Sequence, residues 1–100
     1  MRRDVRIISI ADREFAEAAH WYQSRRDGLG REFADAVALT VERIRGGPES
    51  FPTVAGEMRR AMVPVFPYGV FFLVEGDLIR IVGIIHLARR PSHWRKRQQL

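Results

Sequence analysis

One hundred residues with an apolar share of 46% make one domain spanning 1–100, able to bury its own core without a staple or a metal. The absence of cysteine excludes disulfide frameworks, thiol catalysis and cysteine zinc sites; His20, His86 and His93 lack ligand-like spacing, so neither metal nor cofactor is expected. The net charge of +5 is unevenly placed: residues 1 to 55 carry nine basic and nine acidic side chains, whereas no acid follows Asp77, and a basic second half points to a polyanion or an acidic partner segment.

Met1-Arg2-Arg3 has the charge of a leader, but the apolar run behind it stops at Asp12-Arg13-Glu14, and Pro64, Pro67, Glu75 and Arg80 interrupt the later hydrophobic half. Neither a targeting segment nor a membrane span is read, and a cytoplasmic protein is the expectation. Residues 4–10 predict a short strand, with Val5 and Ile7 on one face and Arg6 and Ile8 on the other. Ser9 or Asp12 then caps a helix whose apolar stripe is Ala11, Phe15, Ala18 and Tyr22, while Arg13, Glu14, Glu17 and Gln23 face water. Turn chemistry at Asp27-Gly28-Leu29-Gly30 ends it near Arg26.

A second helix is predicted over Arg31 to Arg45, burying Phe33, Val37, Val41 and Ile44. It stops at Gly46-Gly47-Pro48, where glycine takes the left-handed position and proline forbids continuation. Phe51-Pro52 plugs the loop back to the sheet. Three antiparallel strands follow, the last two joined by a tight hairpin at Glu75-Gly76-Asp77.

Strict alternation puts Ala61, Val63 and Val65 on one side of the first of these strands, and Arg60 and Met62 on the other. In the last strand it puts Ile79, Ile81, Gly83 and Ile85 on one side, and Arg80, Val82, Ile84 and His86 on the other. With the apolar side against the helices, Arg60, Arg80 and His86 occupy an open face, unless Pro64 or a bulge shifts the phase by one residue. Pro91 opens a short terminal helix over Pro91 to Gln98. The fold class is therefore α+β: a short N-terminal strand, an antiparallel helical hairpin packed on a three-stranded antiparallel sheet, and a short C-terminal helix.

The ordered set Ala18-Ala19-His20-Trp21-Tyr22, Gly28-Leu29-Gly30, Phe33, Pro48 with Phe51-Pro52, Arg59-Arg60, Phe66-Pro67-Tyr68, Val74-Glu75-Gly76-Asp77, His86-Leu87-Ala88-Arg89-Arg90-Pro91 and Trp94-Arg95 resembles the RelE/ParE superfamily of bacterial type II toxins, also known as plasmid-stabilisation proteins. The resemblance covers nearly the whole chain. It implies a toxin neutralised by a cognate antitoxin with an acidic or amphipathic segment, and a homodimer or a toxin–antitoxin heterotetramer as assemblies. One branch of the superfamily cleaves messenger RNA in the ribosomal decoding site without metal; the ParE-like branch poisons DNA gyrase by binding it.

Metal-free cleavage needs a proton acceptor, cations on the phosphate and a donor to the leaving oxygen. Ribonuclease members carry an arginine after the tyrosine of the middle strand, basic residues on the strand before it, and often a tyrosine in the tail. Here Tyr68 is followed by Gly69, Met62 stands at one of the basic positions, and the tail aromatic is Trp94, whose indole exchanges no proton near neutral pH.

The ParE-like branch is therefore the reading, with binding to a target such as DNA gyrase. A ribosome-dependent messenger-RNA endoribonuclease using Arg60, His86 and Arg90 is the alternative, and a non-toxic nucleic-acid-binding domain a second one. The target-binding set is Arg59, Arg60, Arg80, His86, Arg89, Arg90, Trp94 and Arg95, with the arginines suited to bidentate contacts. Within it, His86 also reads as a solvated strand end and Trp94 as packing for the terminal helix.

Overall fold

Two amphipathic helices cannot hide their stripes from water alone, and in the computed structural model, which describes residues 3–100, a sheet covers them. The basic opening weighed as a leader begins at Met1 and Arg2, which lie outside the described residues. In chain order the elements are β1 (Asp4–Ile7), α1 (Ser9–Arg25), α2 (Leu29–Gly46), a 3-10 turn (Pro48–Ser50), β2 (Thr53–Ala55), β3 (Met58–Met62), β4 (Tyr68–Glu75), β5 (Leu78–His86), and 3-10 turns at Pro91–His93 and Arg95–Gln99. The expected architecture holds, with a larger sheet and a tail of two 3-10 turns in place of one terminal helix.

That sheet has five strands, in the order β1-β5-β4-β3-β2. The N-terminal strand is part of it: β1 lies parallel to β5, with Val5 opposite Ile79 and Ile7 opposite Ile81. Everything between the two strands serves as the crossover that parallel neighbours require. At the other edge β2 pairs with β3 through an irregular register, where only a loop was expected after Phe51-Pro52. The β4–β5 hairpin turns at Gly76 with φ 61°, the positive value that glycine accepts without strain.

The stripes of both helices meet the sheet as the 3.6-residue period predicts. Ala11, Ala18, Phe33, Val37 and Ile44 are buried with Ala61, Val63, Val70, Phe72, Ile79, Ile81 and Ile84. Phe33 sits at the centre of an aromatic cluster, its ring 5.2 Å from Tyr22, 5.2 Å from Phe66 and 5.0 Å from Tyr68. Where the helices cross, a Cβ on Gly30 would stand 2.7 Å from the Ala19 carbonyl oxygen, so only glycine permits this approach.

Three local expectations are corrected. Ser9 is the first residue of α1 rather than its cap; Ile8 holds that position and offers no side-chain hydrogen bond. At the end of α2 no glycine is left-handed: Gly46 is helical and Gly47 has an extended φ of −168°. Glu14, expected in water, turns inward to an ion pair with Arg97.

The largest correction concerns the faces of β5. Phe71 lies opposite Gly83, but Phe72 lies opposite Ile81, so Val82 is an extra residue in the ladder. A bulge shifts the phase of alternation by one residue. Ile79 and Ile81 face the helices, as expected, yet beyond the bulge it is Ile84 that joins them, while Val82 and Ile85 turn to the opposite face. Nor is that opposite face open. Trp94 from the tail packs on Phe71 at 4.8 Å and closes a second small core with Met58, Leu73, Val82 and Ile85.

Candidate interaction surface at one end of the sheet

The bulge decides where the predicted site residues go. His86, at the end of β5, lies on the helix side, its ring 5.2 Å from that of Tyr68. Arg60 lies on the tail side, its guanidinium 5.8 Å from the centre of the Phe71 ring. The two were expected on one open face; the sheet stands between them. Arg80 shares the tail side, but Glu75 holds it at 2.8 Å and it also donates to the Leu100 carbonyl.

The remaining members divide in the same way. Arg59 on β3 donates to the Phe51 carbonyl at 2.6 Å and the Glu49 carbonyl at 3.2 Å, tying the α2–β2 connection to the sheet. Trp94 is only 7% exposed, so its indole is core and offers no surface for a target. Arg95 and Arg90 are exposed, and the Arg90 carbonyl receives the His93 N–H at the start of the tail. Arg89 is exposed beside His86, at the mouth of a groove.

That groove, about 640 Å³, runs between α1 and the free edge of β5 past the end of β1. Trp21, Tyr22, Tyr68, His86, Arg89 and His93 line it, with Glu14 and Glu17 further along α1. Trp21 is 50% exposed, with the Arg25 guanidinium 4.4 Å above its ring. Tyr22 packs on the core, as the helical stripe predicts, but Trp21 beside it is on the surface.

The His86 Nδ1 accepts a hydrogen bond from the Ala88 N–H at 3.0 Å, which in a neutral ring leaves the proton on Nε2. Burial pushes the Tyr68 phenol above its ordinary value of 10.0; Tyr22 adds to the rise and Arg89 opposes it. Tyr22 is raised by burial as well. At neutral pH the Tyr68 hydroxyl therefore keeps its proton and is no base.

The pH dependence follows in sign. Stability from these phenols is full below about pH 10, the unfolded value, and is lost as pH rises through the higher folded values. Urea midpoints measured against pH should show an alkaline decline that Tyr68→Phe flattens; an unchanged decline in that variant would assign it to other groups.

Where Glu14 lines the groove lies the feature that sequence reasoning missed altogether. Past Ile81 no strand of the described residues lies beside the edge of β5, and an ion pair takes the strand's place. Glu14 Oε1 accepts from the Ile84 N–H at 3.1 Å, while Arg97 Nη1 donates to the Val82 carbonyl at 3.0 Å. The two side chains join through paired contacts of 2.9 Å. Arg97 belongs to the basic run after Asp77, and no local pattern distinguishes it from Arg95 or Lys96. Among the described residues, no three of His, Asp and Glu come together as a metal ligand set.

The acids of the strands lie at one end of the sheet, with Arg3 and Arg80 bonded among them. Asp4, Glu75 and Asp77 lie at the β4–β5 hairpin end, where the Asp4 N–H also donates to the Asp77 carbonyl. The opposite end carries Arg60, Arg89 and Arg90, and no acid occurs in residues 58–74 or after Asp77. Arg59 and Arg80 are engaged elsewhere, so the free cations come from a subset of the predicted residues.

The arrangement of a β-strand, a helical hairpin, a sheet and a tail of 3-10 turns is a fold shared with a solved structure. A solved chain with it, from the chromosomal ParDE TA system from P. aeruginosa, superposes with a TM-score of 0.73 at 14% sequence identity, covering 85% of this chain and 96% of that one. At that identity the likeness is one of fold. No family model and no curated protein matches the sequence. Among the described residues, no helix is long and apolar enough to cross a membrane.

Proposed function

We propose that this chain is the toxin of a type II toxin–antitoxin system, ParE-like in its action: it arrests growth by binding a target such as DNA gyrase, and an antitoxin with an acidic or amphipathic segment neutralises it. The single observation that carries this reading is the fold shared over most of both chains with a member of a ParDE system. The sheet end with Arg60, Arg89 and Arg90 supports binding, since cations gathered at one end of a domain steer an anionic partner toward it.

The ribonuclease alternative has less behind it. Arg60 and His86 are on opposite sides of the sheet, Gly69 supplies no cation beside Tyr68, and the Tyr68 hydroxyl holds its proton. A phosphate held by one of these groups is out of reach of the other.

Induced expression in bacteria, with nucleoid morphology and translation rate followed together, tests the reading. Growth arrest with disturbed nucleoids and continuing translation is expected, as is inhibited supercoiling by purified gyrase. Cleaved message with normal supercoiling would transfer the protein to the ribonuclease branch. Replacing Arg89 and Arg90 together by glutamine should abolish arrest or weaken antitoxin binding by tenfold or so, about 1.4 kcal/mol. Unchanged arrest and unchanged affinity would remove these arginines from the working surface.

A further inference from the structure

The β3–β4 loop, residues 63–67, carries the one strained side chain of the described residues. Val65 has φ 73°, in the left-handed region, where a β-branched residue is an outlier and glycine or asparagine is the usual occupant. Its side chain is 97% exposed, so no packing compensates for that conformation.

The loop itself is firmly held. Val63 N–H donates to the Tyr68 carbonyl at 2.9 Å, Tyr68 N–H to the Phe66 carbonyl at 2.8 Å, and Pro64 and Pro67 restrict the backbone on either side. Phe66 is the anchor, its ring 4.9 Å from Tyr22 and 5.2 Å from Phe33. With Phe66 turned into the aromatic cluster, Val65 is turned out, and folding alone gives no reason for an apolar residue there.

Beside it the surface remains apolar. Met62 is 53% exposed, and Leu87, whose N–H donates to the Pro67 carbonyl at 2.9 Å, is also exposed. This makes a narrow apolar ridge across the sheet end. Arg60 stands on its tail side and Arg89 on its helix side, with Arg90 following. We propose that this tip is a wedge for duplex DNA: Val65 enters between base pairs from a groove, while arginines on both faces of the sheet end hold the flanking phosphates.

A ridge between two groups of cations matches a groove between two phosphate backbones, whereas an acidic peptide presents a single line of charge. An apolar residue on a rigid tip, flanked by arginines, is the arrangement by which proteins unstack and kink a base step. Pyrimidine–purine steps deform most readily and are the expected sites. The rigidity matters, because a mobile loop would yield before the base stack does. The inference goes beyond the toxin reading and does not depend on it.

The full chain is titrated into a two-turn duplex whose central TA step carries 2-aminopurine in place of adenine, at several salt concentrations. Expected are a rise in 2-aminopurine fluorescence on binding and a slope of log affinity against log salt of about −3, as three arginine–phosphate contacts give. Val65→Asn suits the left-handed backbone and should melt no lower than the wild type, yet it should lose the fluorescence rise and about tenfold in affinity. Val65→Leu should keep both. Arg89→Gln with Arg90→Gln should reduce the slope by about two.

Failure of the wild type to bind the duplex overturns the proposal, as does unchanged unstacking and affinity in Val65→Asn. Tighter, Val65-dependent binding of a polyglutamate peptide than of DNA would overturn it in favour of a protein partner. A wild type that arrests growth but binds no duplex sinks the wedge and leaves the toxin reading standing.

Discussion

Phe33→Ala should destabilise this protein by about 3–5 kcal/mol, a large part of the roughly 5–15 kcal/mol that holds a domain of this size folded. Phe33 is fully buried, and the rings of Phe15, Tyr22, Phe66 and Tyr68 surround it. Removing it takes away the transfer energy of a large side chain and leaves a cavity that four rings from three separate segments cannot close together. Urea unfolding should show a much lower midpoint with an unchanged slope. Phe33→Leu, which fills part of the space, should fall between the two. An alanine variant within about 1 kcal/mol of the wild type would mean that the cluster collapses freely and is no keystone. The same cluster seats Phe66 and Tyr68, so this variant should also loosen the β3–β4 tip.

The second large effect comes from charge. Arg97→Met should cost about 3 kcal/mol, because it strands the Glu14 carboxylate between α1 and the β5 edge and leaves the Val82 carbonyl without its donor. The lower end of the usual range applies, since Glu14 keeps one-fifth of its side chain in water. The double variant Glu14→Met with Arg97→Met should recover part of the loss, because no unpaired charge remains. It should not reach the wild type, because the Ile84 N–H and Val82 carbonyl still lack partners. A double-mutant cycle in urea measures this directly. Purely additive losses would show that the two side chains act independently and that the ion pair does not stand in for a strand.

What could be read in advance from the residues, and what could not, follows from how each signal arises. The stripes Ala11, Phe15, Ala18, Tyr22 and Phe33, Val37, Val41, Ile44 repeat with the period of a helix, and both helices lie where that period put them. Gly76 between two apolar runs marks its hairpin by local backbone chemistry. The three residues of β2 have no such pattern, and their pairing exists only because β3 lies beside them. The parallel union of β1 with β5 joins segments more than seventy residues apart, beyond the reach of any local signal.

The bulge at Val82 is the instructive case. Residues 81–85 are apolar except for Gly83, and both faces of β5 are covered, so a slip of one residue leaves no polar side chain misplaced to reveal it. That slip moved His86 to the helix side and separated it from Arg60. The candidate cations Arg89 and Arg90 were legible as a charge run; the engagement of Arg59 and Arg80 with neighbours, and the burial of Arg97, were not. Charge alone does not say whether an arginine will find a carboxylate.

By itself the amino-acid order determined the helices, the β4–β5 hairpin, the α+β class and the surplus of positive charge after Asp77, because periodicity, turn chemistry and composition act over a few neighbouring residues. The tertiary structure decided which side each residue of β5 faces, which arginines are free, and that Val65 stands exposed at the tip of the β3–β4 loop. Those outcomes depend on groups brought together from distant parts of the chain, where packing and pairing override local preference.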